Sequence, residues 1–306
     1  MKQITDHVIM IRPKHFGFNP ETADNNTFQS DEGDLSIEEI ARLAVLEFDQ
    51  LVSILRDKGV VVDVIDDSDS PVKPDAVFPN NWISMHEDDV IITYPMYSAL
   101  RRNERRDEVI DAITNKYHMA RRYSFEQFEE KGEFLEGTGS MVLDREHKIV
   151  YACISERTDI RMIDKFCVLR GFTQVTFTAE SDNVVIYHTN VMMALGRDYV
   201  VICLDCVPDA TERKDLVDSF TRSGKKIIEI SKKQMDAYAG NMLQLQTRSE
   251  KPILVMSEQA YRSLRNTQIK ALERFNQIVH SPIEIIENYG GGSVRCMIAE
   301  NFLHPE

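Results

Sequence analysis

The chain contains the stretch Gly290-Gly291-Gly292-Ser293-Val294-Arg295-Cys296-Met297, in which three glycines precede a single cysteine. Glycine gives the backbone conformations that other residues avoid, and it lets the backbone approach a ligand closely. Arg295 adjoins Cys296, and a neighbouring positive charge favours the reactive thiolate form of cysteine. The alternative interpretation is a turn leading into a buried strand with an inert cysteine, since most buried cysteines only pack. The stretch alone does not decide between them.

Similar polar or glycine-containing motifs occur earlier in the chain, each directly before an apolar segment. They are Phe78-Pro79-Asn80-Asn81-Trp82, Leu135-Glu136-Gly137-Thr138-Gly139, His188-Thr189-Asn190-Val191 and Gly240-Asn241-Met242-Leu243. The steps along the chain from Asn80 to Glu136, His188, Asn241 and Cys296 are 56, 52, 53 and 55 residues. A nearly fixed period of this size indicates a repeat built from one supersecondary unit.

A helical pattern followed by an extended segment accompanies each motif. The predicted pairs are 36–55 with 60–65, 104–116 with 122–125, 159–169 with 172–177, 211–223 with 226–230, and 257–276 with 283–286. Five such units can close radially and leave few open sheet edges. The sequence therefore predicts an α/β fold, a five-bladed pseudo-symmetric α/β propeller formed by a single catalytic domain over residues 1–306.

Radial closure would deliver every motif to one central axis. Asn81, Glu136, His188, Asn190 and Cys296 would then meet in space despite their separation in the sequence. A cysteine, a histidine and a carboxylate in one channel are the components of covalent catalysis with proton transfer. Each residue also has a structural alternative, such as a core histidine or a turn-capping glutamate. Their common register favours the catalytic interpretation.

Bulk composition excludes several classes of partner. A net charge of −14 argues against nucleic acid, whose phosphates repel an acidic surface. No apolar run reaches the roughly 18 residues that span a membrane. The 5 cysteines make no disulfide framework. Cys203 and Cys206 lie in an apolar segment that predicts a buried strand. We expect a cytoplasmic protein, with the polar segment 14–34 as a mobile surface loop rather than a cover over the site.

Four motifs in order resemble those of the guanidine-modifying enzymes, the pentein superfamily of five-bladed α/β propellers. Leu135-Glu136-Gly137 resembles its acidic "LEGG" motif, Ser155-Glu156-Arg157-Thr158 its "SERT" segment, His188-Thr189-Asn190 its H-x-D or H-x-N motif, and residues 292–297 its approach to the nucleophile. The superfamily includes arginine deiminases, dimethylarginine hydrolases and amidinotransferases. The resemblance covers nearly the whole chain and is strongest to a citrulline-utilisation hydrolase.

The resemblance implies a set of roles for individual residues. Cys296 would add to a guanidinium or ureido carbon, His188 would protonate the leaving nitrogen, and Glu136 would orient His188 or bind substrate N–H groups. Arg157, with help from Arg102 or its neighbour Arg101, would hold the substrate carboxylate. Neither a metal nor an organic cofactor is implied.

Two departures from the family pattern bear on the substrate. The deiminases commonly hold the guanidinium between two aspartates, whereas this chain has Asn81, with Asn80 beside it, and Asn190. Asparagine is uncharged and offers both an acceptor and donors, which suits a neutral ureido group. N-succinylarginine dihydrolase, a relative, also uses amides there. We therefore expect a hydrolase that converts citrulline to ornithine, CO₂ and ammonia.

The alternatives are an arginine or methylarginine deiminase or dihydrolase, an amidinotransferase, and a catalytically silent propeller that binds an amino acid or a protein partner. The expected partner is a small amino-acid substrate. The sequence does not define the oligomeric state, and a homodimer is compatible with it.

Overall fold

The structure is a computed structural model, and it describes residues 1–23, 26, 28–30, 33–117 and 121–303. The strands are β1 (His7–Arg12), β2 (Val61–Asp66), β3 (Ile83–His86), β4 (Val90–Thr93), β5 (Arg121–Ser124), β6 (Val142–Asp144), β7 (Ile149–Cys153), β8 (Thr173–Phe177), β9 (Glu180–Ser181), β10 (Val184–Val185), β11 (Met193–Leu195), β12 (Tyr199–Ile202), β13 (Lys226–Glu229), β14 (Leu243–Gln246), β15 (Pro252–Ser257), β16 (Gln277–Ser281) and β17 (Ala299–Glu300).

Helices connect these strands. They are α1 (Ile37–Asp57), α2 (Asp107–Lys116), α3 (Gly137–Ser140), α4 (Ile160–Arg170), α5 (Thr189–Met192), α6 (Ala210–Arg222), α7 (Lys232–Asp236), α8 (Glu258–Ser263), α9 (Asn266–Leu272) and α10 (Glu284–Gly290). Short 3₁₀ helices span Pro79–Asn81, Leu100–Glu104, Glu126–Lys131 and Leu204–Cys206. Among the described helices, none is long and apolar enough to cross a membrane.

The described strands form five three-stranded sheets of one connectivity. Their strand orders are β17-β1-β2, β3-β4-β5, β6-β7-β8, β11-β12-β13 and β14-β15-β16, with a separate hairpin β9-β10. In each sheet the first two strands pair antiparallel and the last two pair parallel. A parallel pair needs a crossover connection, which the helices supply. The first sheet takes β17 from the C-terminal part of the chain, so both ends of the chain share one sheet.

The prediction of a mixed α/β fold built from helix-then-strand units is confirmed. Helix α1 is capped by Ser36, whose side chain and that of Glu39 form a capping box. The buried face of α1, including Phe48 and Leu51, packs with Val8 of β1 and Val62 of β2 in one hydrophobic cluster. The sheets therefore share apolar cores with the helices that cover them.

The prediction for the last unit was wrong. Residues 257–276, which were expected to form one helix, form the two short helices α8 and α9. The strand of this unit is β16, whereas the expected strand 283–286 lies at the start of α10. The run of isoleucines there resembles a strand. However, the Glu47 carboxylate of α1 accepts the N–H groups of Ile285 (2.9 Å) and Ile286 (3.0 Å). This cap comes from a residue far away in the sequence and satisfies the free amides of a helix N-terminus.

The C-x-x-C segment also differs in part from its prediction. The strand β12 ends at Ile202, and residues Leu204–Cys206 form a 3₁₀ turn. Both cysteines are buried as expected, and their sulfur atoms lie 3.2 Å apart.

Candidate active site

The motif residues gather at one end of the sheets. Three motifs form single helical turns immediately before a first strand: Pro79–Asn81 before β3, α3 before β6, and α5 before β11. Phe78, Asn81 and His188 of these motifs and the glycine-rich turn after α10 border one cavity. Its lining includes Asp75, Asn81, Arg101, Arg157, His188 and Cys296. All six are buried polar or nucleophilic residues, a combination typical of a binding or catalytic site.

The sulfur of Cys296 is bordered by two amide groups. Asn241 Nδ2 lies 3.2 Å from Cys296 Sγ, and Asn190 Nδ2 lies 3.3 Å from it. Arg295, whose charge the sequence suggested for this role, points elsewhere. Its guanidinium donates to the carbonyl of Ile298 (3.0 Å) and to Glu300 (2.8 Å). Neutral N–H donors, rather than that guanidinium, therefore contact the candidate nucleophile.

His188 is held by Glu136. His188 Nε2 lies 2.8 Å from Glu136 Oε2. Since a carboxylate only accepts hydrogen bonds, Nε2 carries the proton and Nδ1 is left as the basic nitrogen. Burial lowers the pKa of His188 to about 4, although the Glu136 charge opposes this shift. The neutral imidazole therefore prevails at neutral pH and can accept a proton at Nδ1.

Glu136 stays ionised in this buried position. Burial by itself raises its pKa, but the charge of Arg157 and the hydrogen bond from His188 outweigh burial and lower the pKa to about 2. Arg157 Nη1 lies 3.7 Å from Glu136 Oε2, and the backbone N–H of Tyr97 donates to Oε1 at 3.0 Å. The carboxylate thus orients His188 and carries no proton.

Gly139 allows the motifs to approach one another. A Cβ atom at this position would lie 2.8 Å from His188 Nδ1 and would overlap Asn81 Nδ2. The two nitrogens therefore come together next to a backbone that has no side chain. This close contact explains a glycine in the acidic motif.

Arg101 determines how the Asn81 amide is oriented. Arg101 Nη1 donates to Asn81 Oδ1 at 2.9 Å, and its Nε and Nη2 pair with Glu104 at 2.8 and 2.9 Å. Arginine has no acceptor, so the amide oxygen must face Arg101. Asn81 Nδ2 then remains as a donor, and it has no hydrogen-bond partner among the described residues.

Three predicted binding residues, Arg102, Asn80 and Asn190, lie outside the cavity lining. Asn190 is buried next to Cys296. Arg102, the predicted helper of Arg157, donates to the Met96 carbonyl (3.1 Å) and pairs with Glu129 (3.2 Å), so Arg101 occupies the place expected for it. Asn80 is buried beside the cavity and donates to Thr138 Oγ1 at 3.3 Å. It supports the turn of the neighbouring motif.

Asp75 is a site residue that the sequence analysis missed. It is buried, lines the cavity, and accepts a hydrogen bond from Asn19 at 2.6 Å through Oδ2. Its other oxygen, Oδ1, has no partner among the described residues. Burial raises its pKa, and the charge of Arg101 opposes the rise. Its position three residues before the motif that starts at Phe78 was the available signal.

Part of the polar segment 14–34 lines the cavity, whereas a surface loop away from the site was expected. Thr22 and Asn26 line the cavity, and the carbonyl of Thr22 accepts from Arg157 Nη2 at 3.5 Å. Asn26 Nδ2 donates to the Gly290 carbonyl at 3.2 Å. The segment follows β1, and its buried residues Thr22 and Asn26 bind other parts of the site. Positions 24, 25, 27, 31 and 32 lie outside the described residues.

Glu287 anchors the glycine-rich turn. It is fully buried, and its Oε1 accepts from Ser293 Oγ at 2.6 Å. Burial raises its pKa to about 7, and hydrogen bonds from Ser257 and Ser293 oppose the rise only in part. The folded protein therefore holds this carboxyl in its protonated form at acidic pH.

We expect Glu287→Gln to stabilise the protein more at pH 8 than at pH 5. The unfolded carboxyl loses its proton near pH 4.5 and the folded one near pH 7, so the wild type loses stability as the pH rises through this interval. The loss amounts to roughly 3 kcal/mol. Melting temperatures at both pH values test this. Glu284→Gln, an exposed neighbour on α10, is the control. A difference between Glu287→Gln and wild type that does not change with pH would contradict the prediction.

Within the described part of the chain, no cluster of three or more histidine, cysteine or acidic side chains is arranged to hold a metal ion. The polar groups of the cavity are instead suited to an organic ligand that carries both charges and hydrogen-bonding groups.

Comparison with known structures indicates the same fold. The N-terminal domain of ArgZ with a covalently bound reaction intermediate has a TM-score of 0.72 and 16% identity, over 97% of this chain and 99% of that one. Full-length ArgZ, an arginine dihydrolase from cyanobacteria, matches with a TM-score of 0.72 and 16% identity, over 98% of this chain but 42% of its own. A dimethylarginine dimethylaminohydrolase adduct with S-methyl-L-thiocitrulline matches with a TM-score of 0.64 and 15% identity, over 97% and 99% of the two chains.

No curated protein matches the chain by sequence. The model of the family described as N,N dimethylarginine dimethylhydrolase, eukaryotic, matches residues 12–303. That match spans nearly the whole chain and agrees with the pentein motifs. The chain therefore belongs to this family of the guanidine-modifying superfamily, and it is a hydrolase acting on C–N bonds.

Proposed function

We propose that the protein is a cysteine-dependent hydrolase that converts citrulline to ornithine, CO₂ and ammonia. The observation that carries this proposal is a set of three buried polar atoms, Asp75 Oδ1, Asn81 Nδ2 and Asn190 Oδ1. None of them has a hydrogen-bond partner among the described residues. Buried polar groups are normally paired, so these three atoms are candidates for ligand contacts.

Their chemistry matches a ureido amino acid. Asn81 Nδ2 is a donor for the ureido oxygen, and Asn190 Oδ1, beside the Cys296 sulfur, is an acceptor for the ureido NH₂. Asp75 Oδ1 supplies a negative charge for the α-ammonium group. Arg157, whose guanidinium lies 4.6 Å from the Tyr187 ring centroid, would hold the α-carboxylate. A guanidinium group has no oxygen that could accept a hydrogen bond from Asn81 Nδ2.

The site residues suggest a sequence of steps. His188 takes the proton of the Cys296 thiol at Nδ1, and the resulting thiolate adds to the ureido carbon while Asn81 donates to the oxygen that gains negative charge. The tetrahedral adduct collapses as ammonia departs with a proton from His188, leaving a thiocarbamate on Cys296. His188 then takes a proton from water, which attacks the same carbon and releases the sulfur. The resulting carbamic acid loses CO₂ to give ornithine, so one water is consumed for each ammonia and CO₂.

The proposed five-bladed arrangement of the sheets is supported by contacts between their first strands. First strands touch in three pairs of sheets, since β17 contacts β3, β6 contacts β11, and β11 contacts β14. We take the five sheets as the blades of one propeller and the chain as one catalytic domain. A ring of this kind brings the motif turns to one end of the axis.

Arginine is the second candidate substrate. ArgZ, which shares the fold, is an arginine dihydrolase, and the Asp75 carboxylate offers a partner for a cation. The same chemistry would then release both nitrogens from the guanidinium carbon.

We expect purified protein to release ammonia and ornithine from citrulline. Citrulline, arginine, dimethylarginine and succinylarginine are assayed side by side for ammonia, and the amine product is identified by mass. Citrulline should have a kcat/KM at least about tenfold above arginine, because one unpaired buried donor is worth about 1–3 kcal/mol. Adding glycine or lysine to the arginine assay and finding no transferred amidino group separates hydrolysis from amidino transfer. Turnover of arginine alone would overturn the substrate assignment while keeping the nucleophile.

A further inference from the structure

Asn241 lies in the one repeat motif to which the proposed function gives no role. Its Nδ2 contacts Cys296 Sγ at 3.2 Å and also donates to the Asn190 carbonyl at 2.9 Å. The side chain is 2% exposed, so no solvent competes for these bonds. Asn241 therefore touches the atom that carries out the reaction.

The orientation of the Asn241 amide is fixed from its other side. The backbone N–H of Arg295 donates to Asn241 Oδ1 at 3.0 Å. A backbone N–H only donates, so the amide oxygen must face it and the NH₂ group must face the sulfur. Each of the two amide hydrogens then has one acceptor, the Asn190 carbonyl and Cys296 Sγ.

Close packing of the backbone holds Asn241 in this place. A Cβ atom on Gly240 would lie 2.8 Å from the Cα of Met192 and closer still to the carbonyl oxygen of Val191. Such contacts do not occur, so position 240 requires glycine. Gly240 thereby allows the motif before β14 to pack closely against the turn that carries His188 and Asn190.

We propose that Asn241 is a catalytic residue that stabilises the thiolate of Cys296 by donating a hydrogen bond to its sulfur. Hydrogen bonds to a charged group are stronger than those to a neutral one, so the donor favours the ionised sulfur over the thiol. Asn190 supplies a second donor at 3.3 Å. Together these amides take the part that the sequence suggested for the charge of Arg295.

Several charged groups share the cavity with the sulfur. They are Asp75, Arg101, Arg157 and His188, with Glu136 behind His188, and Tyr187 and Tyr238 lie within electrostatic range of Cys296. Substitutions of Asn241 leave all of these in place. A comparison of Asn241 variants with wild type therefore isolates the contribution of the amide.

The inference rests on the proposed function only for the identity of the nucleophile, and its test needs no substrate. Alkylation of Cys296 by iodoacetamide is followed from pH 5 to 10 by mass spectrometry of the peptide that contains it. We expect Asn241→Asp, which keeps the acceptor for Arg295 N–H but removes the donor, to raise the pH of half-maximal rate by about one unit or more. Asn241→Ser, which adds no charge, should shift it in the same direction.

Asn276→Asp is the matched control, because it makes the same change in a buried amide that pairs with Gln244 rather than with the sulfur. It should leave the midpoint where it is in wild type. If the pH of half-maximal alkylation rate is unchanged in folded Asn241→Asp or folded Asn241→Ser, the inference is overturned. If Asn241→Asp does not fold, the result with Asn241→Ser decides. A shifted midpoint in a protein that does not hydrolyse citrulline would keep the role of Asn241 and reject the substrate.

Discussion

Turnover by the Cys296→Ser variant is expected to fall by about 10⁴-fold or more while the fold stays intact. The reaction needs a nucleophile that is ionised near neutral pH, and a serine hydroxyl is a much weaker one. Oxygen is slightly smaller than sulfur and can keep the bonds from Asn190 and Asn241, so the packing changes little. His188→Ala should cause a loss of similar size because it removes the proton donor for the leaving ammonia.

Initial rates with citrulline and melting temperatures measure these effects together. Cys167→Ser, the same exchange on α4 outside the cavity, is the control and should keep wild-type turnover. A Cys296→Ser variant that retained more than a tenth of wild-type turnover would rule out a sulfur nucleophile. A variant that lost its melting transition would instead indicate a structural role for the sulfur.

The candidate nucleophile, the histidine and its carboxylate could be predicted from the sequence because of their spacing. A period near 54 residues placed Glu136, His188 and Cys296 at equivalent points of a repeat, just before a first strand. The structure places His188 and Cys296 in the lining of one cavity, with Glu136 behind His188. The position of a residue within a repeat is visible in the nearby sequence, so it can be predicted without knowing any long-range contact.

Residues that reach the cavity from the second strands were harder to predict. In each sheet the first two strands are antiparallel, so the end of the second strand lies beside the start of the first. Arg101 follows β4, Arg157 follows β7 and the polar segment 14–34 follows β1. Only Arg157 had a family motif to identify it. Whether Arg101 or Arg102 reaches the cavity depends on the direction of each side chain in a 3₁₀ turn. The spacing of residues in the sequence does not predict that direction.

Long-range hydrogen bonds account for the remaining differences. The start of α10 is capped by Glu47 of α1, and the amide of Asn241 is fixed by the backbone of Arg295. Both partners lie far away in the sequence. The local sequence at 283–286 favoured a strand because of its isoleucines. Nothing in the sequence near Asn241 predicted a role for it.

Substituting Asn81→Asp should turn the preference of the enzyme from citrulline toward arginine. The new carboxylate would keep the bond to Arg101 with one oxygen and present the other where Nδ2 now lies. A ureido oxygen would lose its donor and face a negative charge, whereas a guanidinium would gain an acceptor and a counter-charge. Leaving one buried group unpaired costs about 1–3 kcal/mol, and more where a charge is involved.

The ratio of kcat/KM for citrulline to that for arginine should therefore fall by about 10²-fold or more. Both substrates are assayed under the same conditions, since comparing the two within one variant cancels any general loss of stability. Asn103→Asp, an exposed change of equal charge two residues from Arg101, controls for the electrostatic field of an added carboxylate. It should leave the ratio within about threefold of wild type, because exposed charges are screened by solvent. A ratio unaltered by Asn81→Asp would mean that Nδ2 does not contact the reacting group, and the argument for a neutral substrate would fail.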